Sequence, residues 1–350
     1  MLSKSIITQK KDDKVKMAIR LSISIDIFRK NIIGMQFDKT QNYIEFAIEQ
    51  NKLQYVEPLI QLGFIDKEND YFQCALKNPG CIKILMKNGF SLYSLPKFGM
   101  PFIISAIKAG KTEVVKESLE SGFDPNTIYI TGRWSILMFA CSNQNKEIVD
   151  LLIEYGANVN YYSKDNATPF FLSCKSPEIL KKLILLGADV NKSPNYYGSI
   201  IYYCITNSLE ESLNIILDAG CIFRSDNFDS GYYLIDAIKK RFGHETIQKL
   251  INAGANINHI DTSRNSPLYQ AYLNKDYVLA EILLSKGATF HDERSGYFLI
   301  QSIKQNEFDH CISMIKSGAS INYIDDDKKT PLIYAGEKEA VELVQFLVLN

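Results

Sequence analysis

The chain has 350 residues, a formal net charge of −1, and a composition 46% hydrophobic and 23% charged. That balance is globular, and near-neutrality excludes a chain-wide basic surface, so nucleic acid is not an expected partner. No run of 18 apolar residues occurs, and the opening MLSKSIITQKKDDK lacks an apolar stretch, so neither a membrane-spanning helix nor a secretory leader is expected.

Taken in chain order, residues 1–11 read as a flexible tail, and a repeat then begins. Glycines follow short Leu/Ile-rich runs at Gly63, Gly89, Gly122, Gly156, Gly187, Gly220, Gly254, Gly287 and Gly318, with spacings of 26, 33, 34, 31, 33, 34, 33 and 31. A small residue precedes each by about 16 positions: Ala47, Ala75, Ala106, Ala140, Ser173, Cys204, Ala237, Ala271 and Ser302. Twice the gap is 14, at Ala75 and Ser173, and both times a proline lies between (Pro79, Pro177). Ala18 and Gly34 extend the phase backwards into a degenerate first repeat, residues 12–40. Ala335 opens a last copy that ends at the chain terminus. The total is about eleven units over residues 12–350.

Each unit reads as helix, turn, helix, loop. In TPFFLSCKSPEILKKLILLGADVN, Thr168-Pro169 caps and starts a first helix. Leu180, Leu183 and Ile184 line one face of a second. Gly187 suits a left-handed helix end, and the Asp and Asn after it favour a turn. Ser266-Pro267 and Thr330-Pro331 repeat the start signal.

TPFFLSC, SPLYQAY and TPLIYAG, together with the endings GANVN, GADVN, GANIN and GASIN, resemble the ankyrin repeat family, with its T-P-L-H-x-A start and its 33-residue period. The resemblance covers essentially the whole chain from residue 12. It implies an all-α ankyrin-repeat solenoid of about eleven helix-turn-helix units with loop or hairpin fingers. It also implies a protein-binding surface on the concave side, built from loop tips and first helices. The family's histidine is absent throughout; Met138, Phe171, Tyr202, Ile235, Tyr269, Ile300 and Ile333 stand there. GYYLIDA and GYFLIQS lack Thr-Pro, which predicts looser N-caps or altered loops in those repeats.

Residues that suggest chemistry find a place in the repeat. AGKT, Ala109 to Thr112, is half of a phosphate-binding loop, but Ser105 stands where its first glycine is required. The repeat instead puts Gly110 in the turn between helices and Thr112 at the cap of the second. The seven cysteines form no C-x-x-C pair and read as buried free thiols. Of four histidines, His259 and His291 lie in loops one repeat apart, too far to share a zinc ion. No catalytic residue, metal site or cofactor is expected.

The loops from repeat four to repeat seven are rich in aromatic residues. Tyr129, Trp134, Tyr161, Tyr162, Tyr196, Tyr197, Phe228 and Tyr232 form the candidate partner-binding surface, since aromatics dominate binding hot spots. The competing reading is that each packs against the next loop. Later loops, HDERSG and YIDDDKK, are charged, and Asp325 to Lys329 reads as a solvated turn. The expected function is a non-catalytic, cytoplasmic protein–protein interaction scaffold. The alternative is a host-directed effector or enzyme inhibitor of a parasite, intracellular bacterium or virus, acting in the host cytosol. A third and weaker reading is an enzyme with its pocket in the groove. Phe346, Leu347, Val348 and Leu349 leave the last helix apolar, so self-association through the C-terminal repeat is a further expectation.

Overall fold

A computed structural model describes residues 14–32, 42–65, 71–93, 100–129, 133–192, 199–223, 230–291 and 294–350. The tail expected over residues 1–11 lies outside this set. Two compact units divide the chain, residues 1–173 and 174–350. In the first, helical residues 14–20 pair with Ile25–Ile32, and Tyr43–Glu49 with Val56–Gln61. Phe72–Ala75 then pairs with Cys81–Lys87, Phe102–Lys108 with Thr112–Glu120, and Ile136–Ser142 with Lys146–Glu154, before Pro169–Leu172 closes the unit. The second opens on Pro177–Leu185. It continues with the pairs Ile200–Thr206 and Glu210–Asp218, Ser230–Lys239 and His244–Asn252, Pro267–Leu273 and Tyr277–Ser285, Ser295–Lys304 and Phe308–Lys316, and Pro331–Glu337 and Val341–Leu349. Among the described residues one strand pair occurs, Ile128–Tyr129 against Trp134–Ser135, antiparallel. Within each unit first helices pack on first helices and second on second, as an all-α repeat stack does.

The helix starts follow the sequence signals. Ser135, Thr168, Ser199, Ser266 and Thr330 each accept the amide three residues on, from Met138, Phe171, Tyr202, Tyr269 and Ile333. Each such cap is worth about 1 kcal/mol. Pro169, Pro267 and Pro331 stand in the first turn, where no amide bond is lost. The periodic small residues from Ala47 to Ala335 are all buried, which lets first and second helices approach closely.

Four residues after the small position the backbone turns left-handed, at Ser22, Asn51, Gly110, Gln144, Ser208, Arg241, Lys275, Asn306 and Glu339. The two 14-residue repeats have no such residue. Pro79 and Pro177 stand at that register, and their first helices, Phe72–Ala75 and Pro169–Leu172, have four residues instead of the usual seven. The deletion therefore removed the left-handed turn and shortened the helix before it.

GYYLIDA and GYFLIQS have altered starts, and the helix Ser295–Lys304 has no side-chain cap bond. Their helices begin early, at Ser230 and Ser295, and run ten residues. The Ser230 hydroxyl accepts the Asn256 amide and the Ser295 hydroxyl the Ser320 amide, so each serine ties its repeat to the next instead of capping its own helix. Glycine follows each serine because the next loop occupies the space. A Cβ on Gly231 would lie 2.0 Å from His259 Cβ, and one on Gly296 2.0 Å from Tyr323 Cβ.

The GANIN-type ending has the same linking logic. Its first Asx side chain folds the turn by accepting the amide two residues on: Asp124 from Asn126, Asn158 from Asn160, Asp189 from Asn191 and Asn256 from Asn258. The final Asn reaches into the following repeat. Asn126 donates to the Gly156 carbonyl and accepts the Asn158 amide; Asn258 donates to the Gly287 carbonyl and accepts the Thr289 amide.

Candidate functional site

The aromatic residues of the loops divide by environment. Tyr129 sits on the short strand pair opposite Trp134 and is buried, with no hydrogen-bond partner for its hydroxyl among the described residues. Burial pushes its phenol pKa upward. Tyr129 therefore belongs to the interior, because the strand pair turns it towards Phe139 at 6.5 Å. Trp134 is half-buried against the same ring at 5.3 Å. In the next loop Tyr161 stacks on Tyr162 at 6.5 Å and donates to the Arg133 carbonyl, which ties the two loops together. Tyr162 is 54% exposed.

In the second unit Tyr232 is 50% exposed. It stands one turn into the early-starting helix, beside buried Tyr233, which packs on Tyr202 at 5.3 Å. Tyr196, Tyr197 and Phe228 lie outside the described residues. Other exposed rings were not singled out from the sequence. Tyr93 is half-exposed, stacks on Phe123 at 5.0 Å and accepts the Asp124 amide. Tyr297 is half-exposed too, and Tyr269 lies under the Arg294 guanidinium at 4.1 Å. The candidates drawn from loop composition leave out Tyr93, Tyr269 and Tyr297.

The turn Asp325–Lys329 is not simply solvated. The Asp325 carboxylate accepts the Asp327 and Lys329 amides and the Tyr334 hydroxyl, and it lies 3.6 Å from Lys304 Nζ. The Tyr334 hydroxyl, above all, holds the Asp325 carboxyl below the usual range against the opposing effect of burial. Asp261 does the same work two repeats earlier, accepting the Ser263 and Asn265 amides beside Lys239. Burial alone would raise its carboxyl; the Asn265 amide and the Lys239 ammonium more than offset that and hold it low. Both aspartates are loop braces.

The AGKT segment carries no phosphate cradle. The residues before it form the helix Phe102–Lys108, where a phosphate loop needs a strand. Gly110 is the left-handed turn residue, with φ 64°. Lys111, and not Thr112, is the cap position; Thr112 is the first helical residue and its hydroxyl donates to Glu147. All seven cysteines are buried. Burial pushes the Cys81 and Cys311 thiols up to about 12 and Cys141 higher still. Contact with Cys204, then burial, raises Cys174. None of these four is a thiolate near neutrality. Among the described residues no cluster of three or more His, Cys, Asp or Glu could hold a metal ion, and no helix is long and apolar enough to cross a membrane.

What the geometry provides is a bonded scaffold with variable side chains on its loops and helix starts. Comparison with known proteins fits that description. The family model for ankyrin repeats, in three copies, matches residues 102–194. Ankyrin repeat protein OPG189 of Vaccinia virus (strain Copenhagen) is 27% identical over 196 residues, 55% of this chain and 34% of that protein. The ankyrin repeat protein FPV031 of Fowlpox virus (strain NVSL) is 24% identical over 234 residues, 64% of each chain. The ankyrin repeat, SAM and basic leucine zipper domain-containing protein 1 of Ovis aries is 36% identical over 93 residues, 26% of this chain and 19% of that protein. The matches span less than two thirds of each relative's own length. With the family model on residues 102–194 and the same small-residue, left-handed-turn and Asx-bridge geometry recurring in both units, the chain carries ankyrin repeats.

Proposed function

We propose that the protein is a non-catalytic scaffold that binds a protein partner through its loops and first helices. Ankyrin repeats are protein–protein interaction modules, and the fold leaves those positions free to vary. The observation that carries the choice of face is the linked group Trp134, Tyr161 and Tyr162, in which two loops are joined by the Tyr161 hydroxyl and one ring is left largely exposed. Rigid aromatic rings with exposed faces are the usual anchors of a protein interface. Affinity purification with Trp134→Ala/Tyr162→Ala beside the wild type tests it. Loss of a wild-type partner with the helical circular-dichroism spectrum retained is expected, whereas full retention of the partner overturns the choice of face.

A second reading is favoured by the similarity to ankyrin repeat proteins of Vaccinia and Fowlpox viruses: the chain is a host-directed effector or inhibitor working in a host cytosol. Its test is fractionation of host cells carrying the source agent, where confinement of the protein to the agent itself overturns it. Self-association through the last helix, where Val341, Val348 and Leu349 are exposed, is checked by sedimentation at rising concentration. A constant monomer mass counts against it.

A further inference from the structure

Two successive loops of the second unit enclose an open cavity of about 240 Å³. Arg264, His291 and Arg294 line it, with Ile260, Tyr269 and Phe290 as apolar walls. Among the described residues no aspartate or glutamate lines it, so the lining is one-sided in charge; Asp292 and Glu293 lie outside that set.

Both loops are braced. The Arg294 guanidinium lies over the Tyr269 ring at 4.1 Å and donates to the Arg264 carbonyl, which joins one loop to the other. The Thr289 amide donates to Asn258, and the Phe290 amide to the Ser317 carbonyl, both at 2.9 Å. The Arg264 amide closes its turn on the Asp261 carbonyl at 2.9 Å, and the Asp261 carboxylate is taken up by the Ser263 and Asn265 amides and Lys239. The Arg264 side chain has no such task. It is exposed, and its guanidinium makes no hydrogen bond or ion pair among the described residues. Its backbone stands at φ 59°, a conformation glycine adopts at least cost, so a long cationic side chain is held where the turn alone favours none.

We infer that this cavity receives a carboxylate, the acidic side chain of a protein partner. Only the carrier, a protein, rests on the reading of the chain as a scaffold; the site does not use the Trp134 group of the first unit. A guanidinium pairs with a carboxylate through parallel N–H···O bonds, and Arg264 is the fork with its donors to spare. Arg294 stays on Tyr269 and adds its charge to the same cavity, while Ile260 and Phe290 meet the methylenes of the guest. One such fork matches the single charge and planar shape of a carboxylate better than a doubly charged phosphate.

The test is an amide NMR titration of the full chain with the α-amide of N-acetyl-glutamate, at constant ionic strength, beside the α-amide of N-acetyl-glutamine as the neutral probe. It needs no partner, so a failure here is distinguishable from a failure of partner capture. Saturable shifts at the amides around Arg264 and His291 are expected with the glutamate derivative and not with the glutamine one. Arg264→Gln should weaken binding about ten-fold or more. Lys328→Gln removes an exposed cation at the same left-handed turn position of another loop, φ 59°, and should leave binding unchanged. Thermal melts of the variants establish that they are folded. Absence of saturable shifts, an equal response to both probes, or equal binding by Arg264→Gln overturns the site. Tighter binding of phenyl phosphate than of the glutamate derivative overturns the carboxylate assignment.

Discussion

Gly296→Ala has two effects of opposite sign, and the structure says which wins. Gly296 is the second residue of the helix Ser295–Lys304, where alanine ordinarily stabilises by about 1 kcal/mol. The added Cβ would lie 2.0 Å from Tyr323 Cβ, 2.6 Å from Tyr323 Cγ and 2.8 Å from the Ser320 carbonyl oxygen. Carbon contacts settle near 3.5–4.0 Å, so the loop must move by roughly 1.5 Å. Overpacking of this kind costs about 3 kcal/mol. The same movement strains the bond from the Ser320 amide to the Ser295 hydroxyl, worth about 1 kcal/mol. The net expectation is a loss of about 3 kcal/mol. Urea unfolding followed by circular dichroism measures it, and amide exchange at residues 320–323 localises it in an array that need not unfold in one step. Gly336→Ala is the control, because its Cβ meets nothing within 4 Å in the helix Pro331–Glu337; it should gain up to about 1 kcal/mol. A Gly296→Ala variant as stable as the wild type would refute the packing argument.

Asn258→Ala removes the bonds to the Gly287 carbonyl and the Thr289 amide, at 3.1 and 2.9 Å, and should cost about 1–2 kcal/mol; unchanged amide exchange at Thr289 would count against it. Gly110→Gln places a side chain at φ 64° and should destabilise by about 1 kcal/mol, while Gln144→Gly at φ 57° should be neutral or stabilising; equal shifts in urea midpoint would sink the account of the turn. Acidification probes the two loop braces. Both folded carboxyls lie below their ordinary value, so their contribution is fully present above pH about 4 and lost as pH falls through the lowered values. An Asp261→Asn/Asp325→Asn variant should lose less stability than the wild type over that fall, and parallel curves would reject the assignment.

The period was legible because it has a local physical cause. A small residue must stand where two helices meet, a left-handed residue must end the second helix, and an Asx must fold the loop. The sequence therefore displays Ala140, Gly156 and Asn158 at fixed spacing. The other left-handed turn was far less visible. Gln144, Lys275 and Glu339 adopt it without being glycine, since the surrounding helices force the conformation, and only Gly110 displays it openly. The particular contacts of the Ser-Gly starts were hidden for a related reason. Ser230 and Gly231 answer to Asn256 and His259 of the following repeat, contacts that no local pattern carries.

Exposure was legible least of all, and that is where function resides. At the position the family gives to histidine, Met138 is fully buried, whereas Tyr202 is 37% and Ile333 44% exposed. Residues in one phase of the repeat thus meet different environments, which the period alone does not display. The same holds for the candidate face, where Tyr129 and Tyr162 are both loop tyrosines, yet the strand pair turns one inward and the Tyr161 stack leaves the other outside. A repeat array separates the two problems. The period specifies the backbone and the inter-repeat bonds, and the residues left unspecified by the period carry the chemistry by which partners are told apart.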